Sequence, residues 1–189
     1  MAPTRKRGTR FRLIYYRRLF RYYRGLLLLL SLVALAVFIW NPPELASRRL
    51  WSLPVVFIPL LLLGAGFIAQ MLAHVQCRGS YLVIQLPLYQ LAVGYGRIKN
   101  TRPTEFFRIF PPKKQSAARR RILEPFWGQT VLVLELKQYP LPKAWLRLWM
   151  DKYMFLPDSP GFVLLVDDWM AFHRQLDDFS ATWRTHRQG

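Results

Sequence analysis

Leu26-Leu-Leu-Leu-Leu-Ser-Leu-Val-Ala-Leu-Ala-Val-Phe-Ile-Trp40 and, after Asn41-Pro-Pro-Glu-Leu-Ala-Ser-Arg-Arg49, the run from Leu50 to Ala73 decide how this chain reads. Neither run contains a charged side chain. As helices rising about 1.5 Å per residue, each would cross or nearly cross the hydrocarbon core of a bilayer. The expectation is a two-helix transmembrane hairpin over residues 25–75, with spans at about 25–40 and 50–73. Tyr22, Tyr23 and Trp40 bracket the first run as interfacial aromatics do. Ala34-Leu35-Ala36 meets the crude pattern of a signal-peptide cleavage site, but it lies inside the apolar run, which favours a retained helix.

The 28 Lys and Arg, against 10 Asp and Glu, concentrate on either side of these runs. Arg5, Lys6, Arg7, Arg10, Arg12, Arg17, Arg18, Arg21 and Arg24 all precede the first acid, Glu44, and Arg78, Arg97, Lys99 and Arg102 follow the second run. Because translocating such clusters is costly, the expected placement is a multi-pass protein of the inner (cytoplasmic) membrane with both termini cytoplasmic. Residues 1–24 read as a basic cytoplasmic arm. Leu13, Tyr16, Phe20 and Tyr23 recur at helical spacing, so Phe11 to Arg24 reads either as an interfacial helix against anionic headgroups or as a solvated basic tail. An acid-free basic arm also has the composition of a mitochondrial presequence. Basic residues interleaved with aromatics occur in nucleic-acid binders too, but continuity with an apolar run makes lipid phosphate the nearer partner and disfavours nucleic acid.

In the second run Pro54 and Pro59 predict a kink. Ala65, Ala69 and Ala73 repeat at four-residue spacing beside Gly64 and Gly66, a helix-packing face whose expected partner is the first span through Ser31, Ala34 and Val37, with an intermolecular helix as the alternative. The runs hold no ionisable residue before His74, which disfavours a channel or transporter.

From Gln76 onward short β-branched and aromatic stretches predict strands at 81–86, 89–95, 130–136 and 161–166, with others at 97–99 and 105–110. Residues 143–155 fit a strand through Trp145-Leu-Arg-Leu-Trp-Met150, or a helix with Trp145, Leu148 and Trp149 on one face. Trp169, Phe172, Leu176, Phe179 and Trp183 form one stripe of an amphipathic helix at about 168–185, capped by Asp167 or Asp168, and that stripe is expected to plug a sheet core. Between strands, Lys113, Lys114, Arg119, Arg120 and Arg121 follow Pro111-Pro112 with no acid before Glu124. They read as a mobile loop, either engaging anionic headgroups with the arm or simply solvated.

Catalytic constellations are poor. His74, His173 and His186 are isolated, without metal-ligand spacing, and Asp167-Asp168 and Asp177-Asp178 point about 100° apart on a helix. The lone Cys77 excludes an internal disulfide and a multi-cysteine zinc site, and sits at a boundary where either an acylated or an unmodified thiol is expected. No catalytic residue, metal ligand or cofactor site is read, and the chain is not expected to be an enzyme.

Two apolar runs, then the strand pairs Tyr81 to Leu86 and Tyr89 to Tyr95, the Gly94-Tyr-Gly-Arg-Ile98 step, and Gly161-Phe-Val-Leu-Leu-Val-Asp-Asp-Trp169 leading into a final helix resemble the bacterial membrane-anchored proteins with a pleckstrin-homology-like domain. The resemblance covers residues 76–185 by order and texture, without a short motif. It implies a bent seven-stranded antiparallel barrel closed by the last helix. The turn Leu86-Pro87-Leu88 lacks the basic residues that phosphoinositide-binding members place there. The fold class read is therefore an α+β membrane protein: a two-helix transmembrane hairpin followed by a small antiparallel β-barrel domain, PH-like, over 76–189. The expected function is a membrane-tethered, non-catalytic scaffold that binds a protein partner, anionic inner-leaflet lipid, or both. The alternative is an accessory or assembly subunit contacting a larger membrane complex through the hairpin. Expected partners are an anionic bilayer and a membrane protein or a second copy of the chain.

Overall fold

The computed structural model describes residues 7–40 and 49–188. The chain divides into two compact units, one built from residues 1–15 and 72–189, the other from 16–71.

The first unit holds two antiparallel sheets. In the four-stranded sheet β1 (Arg7–Arg12), β2 (His74–Arg78), β3 (Tyr81–Gln85) and β4 (Gln90–Gly94) lie side by side in chain order. In the three-stranded sheet the order is β5 (Ile98–Glu105), β6 (Thr130–Leu136) and β7 (Gly161–Leu164). β3, β6 and β7 are dominated by apolar side chains and are buried on both faces, as such runs require, while β2 buries Val75, Gln76 and Cys77 between its polar ends His74 and Arg78. β1 differs: only Phe11 is buried, and its ring lies 5.2 Å from Phe172. Gly8 permits a close crossing there, since a Cβ would meet the Gln175 side chain at 2.6 Å.

The long helix α6 (Trp169–Gln188) seals this core. The Asp168 carboxylate caps it by accepting from the Ala171 N–H at 2.9 Å. Phe172 and Leu176 are 0% and 1% exposed, whereas Trp169, Phe179 and Trp183 are only half-buried. Short helical pieces fill the connections: α3 (Phe106–Ile109) and α4 (Ala117–Leu123) between β5 and β6, and α5 (Lys143–Trp149) between β6 and β7. Their aromatic residues form a second cluster in which Phe126 lies 5.5 Å from Tyr15 and 5.8 Å from Phe106.

Several expectations are corrected. Among the described residues there is no closed barrel: the sheets stay separate, and an isolated bridge between Leu13 and Val166 links the ends of β1 and β7. Arg7, Arg10 and Arg12, read as part of a basic arm, belong to a strand, so the sheet domain starts well before residue 76. Residues 105–110 are mostly the helical turn of α3 and not a strand, and of the two readings left open for 143–155 the structure takes the helix over 143–149.

The second unit consists of α1 (Ile14–Ile39) and α2 (Arg49–Leu72), apart from their outermost residues. Among the described residues, no helix is long and apolar enough to cross a membrane. This overturns the spans at 25–40 and 50–73, and with them the multi-pass inner-membrane placement and the cytoplasmic termini inferred from it. Length against charge explains the difference. α1 carries Arg17, Arg18, Arg21 and Arg24 in its first half, and its uncharged remainder rises only about 22 Å against a hydrocarbon core of about 30 Å.

The small-residue face is also revised. Ala73 lies beyond the end of α2, fully buried, and its carbonyl accepts from the Leu13 N–H at 3.1 Å. Ala65 is exposed. Ala69 and Gly66 line a recess of about 300 Å³ with Tyr16, Phe20, Leu27 and Leu62, and the Phe20 ring fills the place a Gly66 side chain would take. Ser31 donates to the carbonyl of Leu27 in its own helix at 2.8 Å. Ala34, Val37 and the Pro54 side chain lie outside the described side chains, and α2 runs through residues 54 and 59 as one helix.

Candidate functional site

A strongly charged recess in the first unit is a cleft of about 500 Å³ between the α3–α4 connection, α5 and the turn after it. Its construction starts from apolar anchors. Leu146 is fully buried and pins α5 to the core. Phe110 meets Tyr153 edge-on at 5.1 Å, and the Tyr153 hydroxyl donates to Gln115 Oε1 at 3.0 Å, tying the two walls together. The Asp151 carboxylate accepts from the Tyr153 N–H at 3.0 Å and so shapes the turn that presents Lys152.

On these anchors five cations, Arg108, Lys114, Lys143, Arg147 and Lys152, line the cleft, with Asp158 the carboxylate of the lining. Arg108 is paired with Glu105 at 3.1 Å. Among the described residues, no carboxylate lies within ion-pair distance of Lys114, Lys143, Arg147 or Lys152. Two of these ammonium groups rest on aromatic faces instead, Lys152 over Tyr153 at 4.7 Å and Lys143 over Tyr139 at 5.7 Å. Such contacts hold the stems in place while leaving N–H donors free for a ligand. The cleft therefore concentrates positive potential at a concave, partly apolar surface, which favours an anion of moderate size.

A second recess of about 550 Å³ lies by the C-terminal half of α6, with Lys99, Lys137 and Arg184 around Tyr95 and Trp183. It carries fewer cations. Beside it, Tyr95 donates to the carbonyl of Arg78 at 2.7 Å and neighbours Cys77. Cys77 is fully buried in β2, and burial pushes its thiol up to about 12, so it is an inert core group.

The basic residues singled out from the sequence scatter. Arg5 and Lys6 lie outside the described residues. Arg7, Arg10 and Arg12 are exposed on the edge strand β1, while Arg17, Arg18, Arg21 and Arg24 belong to the other unit. Lys113 and Lys114 sit on a 3-10 turn, and Arg119, Arg120 and Arg121 are exposed on α4, so the expected loop is helical at both ends. The Arg120 Nε–H donates to the Gln115 carbonyl at 3.0 Å. Of the whole set, Lys114 lines the cleft. Arg108, Lys143, Arg147 and Lys152 were missed. The available signal was the i,i+4 spacing of Lys143 and Arg147, which places both on one flank only if the segment is a helix.

Among the described residues no cluster of His, Cys, Asp and Glu could hold a metal ion. No family model, no curated protein and no solved structure matches the chain.

Proposed function

We propose that the chain is a non-catalytic interaction module whose first unit binds an anionic group in the cleft around Arg147. The observation that carries this reading is the convergence of five cations on one recess, four of them without a carboxylate partner among the described residues. Keeping like charges together without neutralisation costs stability, and a site that receives an anion recovers that cost. Inorganic pyrophosphate titrated into the full chain should bind with an affinity that falls as salt rises. Lys143→Gln combined with Arg147→Gln should weaken that binding by about tenfold or more. Unchanged affinity in the double variant would remove the cleft from consideration.

The second unit favours an additional role as an accessory subunit of a larger assembly. Leu29, Leu32, Ile39, Leu61 and Ile68 are all exposed on its helices. Uncovered apolar surface costs about 25 cal/mol per Å², and contiguous patches of it mark interaction sites. Native mass measurement of the chain purified gently from cells should show a stoichiometric partner; a bare monomer would count against this role.

A further inference from the structure

The flank of α5 facing away from the cleft is as unusual as the cleft itself. Trp145 is 47% exposed and Leu148 70% exposed, although both are large apolar side chains on a helix anchored to the core. The β3–β4 turn adds a third, Leu88, at 84%. Aromatic stacking joins the three sites: Tyr89, next to Leu88, lies flat on Trp149 at 5.6 Å and 14°, and Trp149 meets Trp145 edge-on at 6.3 Å. The patch is thus continuous across two elements and is built on stiff rings, the composition that dominates binding energy at protein interfaces.

At about 100° per residue, Lys143 and Arg147 share one flank of α5, while Trp145 and Leu148 share another roughly 150° round the helix. Ala144 lies exposed on the crest between them, small enough for a foreign backbone to approach closely. A flat surface resting on that crest can touch the apolar flank but cannot also fill a concave cleft on the other side. A polypeptide draped over Ala144 can do both.

We infer that α5 and the β3–β4 turn form one docking surface for a partner protein segment in which acidic side chains stand next to apolar ones. The partner's carboxylates enter the cleft toward Lys143, Arg147 and Lys152, and its apolar side chains cover Trp145, Leu148 and Leu88. Charge complementarity selects the acid, and the exposed indole and leucines select the apolar neighbour. The inference rests on the anion-binding reading of the cleft and extends it to the other side of the helix.

The test uses the full chain and three labelled synthetic peptides read by fluorescence anisotropy: one alternating glutamate pairs with leucines, one with every Glu replaced by Gln, and one with every Leu replaced by Ser. The Glu/Leu peptide should bind at least about tenfold more tightly than either control. Trp145→Ser with Leu148→Ser should weaken it about tenfold while leaving pyrophosphate affinity unchanged, since these residues lie outside the cleft. Lys143→Gln with Arg147→Gln should weaken both ligands. If the Glu/Leu peptide binds no better than its Ser version while pyrophosphate still binds, the docking surface is wrong and the cleft stands. Loss of pyrophosphate binding from the unaltered chain removes both. Vesicles of phosphatidylglycerol that bind through Trp145 and Leu148 more strongly than the peptide would replace a protein occupant with a lipid surface and overturn the inference.

Discussion

Cys77 and Tyr95 show how far a single position departs from its solution chemistry. Burial pushes the Cys77 thiol up to about 12, against the pull of a hydrogen bond with Tyr95. Burial first, and then Cys77, raise the Tyr95 phenol as well. Both groups stay protonated in the folded chain and ionise more readily once it unfolds. The stability this represents is whole below about pH 8.5 and is lost as pH rises toward 12, by up to about 1.4 kcal/mol per pH unit for each group. The urea midpoint of the full chain should therefore fall across that alkaline window. Cys77→Ala should flatten the portion that begins near pH 8.5; an unaltered slope in that variant would show that the thiol is not responsible. A lone cysteine in a sequence says nothing of this, because its ionisation depends on the burial that β2, β3 and Tyr95 create.

α6 and α5 differ in how much their own residues reveal. The aromatic stripe of α6 repeats at three and four over four turns, so the helix and its inward side were readable from the sequence, and the structure selects Asp168 over Asp167 as the cap. Contact depth along the stripe was not readable, because it depends on where the sheet ends beneath it. Phe172→Ala should cost about 3–5 kcal/mol, and Phe179→Ala distinctly less because that ring is only half-buried. Thermal melts of the two variants that shift equally would contradict the packing. α5 spans barely two turns, too few for periodicity to separate a helix from a strand. The choice has chemical weight: a strand would put Lys143, Trp145, Arg147 and Trp149 on one face, whereas the helix sends the cations and the exposed indole to different flanks.

For the molecule as a whole, the decisive feature is the insertion of the second unit between β1 and β2. The Leu13 N–H donates to the Ala73 carbonyl at 3.1 Å, so the ladder of β1 and β2 closes directly beneath the point where the insertion leaves and returns. Joining Tyr16 to Met71 through a short Gly-Ser linker should therefore leave the two sheets and α6 intact, since a loop of any moderate length closes that gap at small entropic cost. Circular dichroism should show a cooperative thermal transition for this shortened chain. A fragment of residues 76–189 lacks β1 and the first two residues of β2 and should melt far lower or fail to fold. Equal stability of the two would mean that β1 contributes nothing to the sheet.

Local order carried β3, β4, β6, β7 and the final helix, because alternation, continuous apolar runs and three-four spacing act within a few residues, but it found only the first residues of β5 and took the helical turn of α3 for a strand. The same local reading took Arg7–Arg12 for a solvated arm, since a strand with a single buried side chain, Phe11, has no periodicity of its own. Its place in the sheet comes from pairing with β2 across the whole inserted unit, with Arg12 opposite His74 and Phe11 opposite Val75. The apolar runs near the start were legible as helices, but how far each stays uncharged within its helix depends on where that helix begins, and α1 begins before its arginines. The cleft was the least visible of all. Arg108 and Lys114 belong to the β5–β6 connection and Arg147 and Lys152 to the β6–β7 connection, and they meet because Phe110 of the first packs on Tyr153 of the second, a juxtaposition that long-range packing creates and no local spacing encodes.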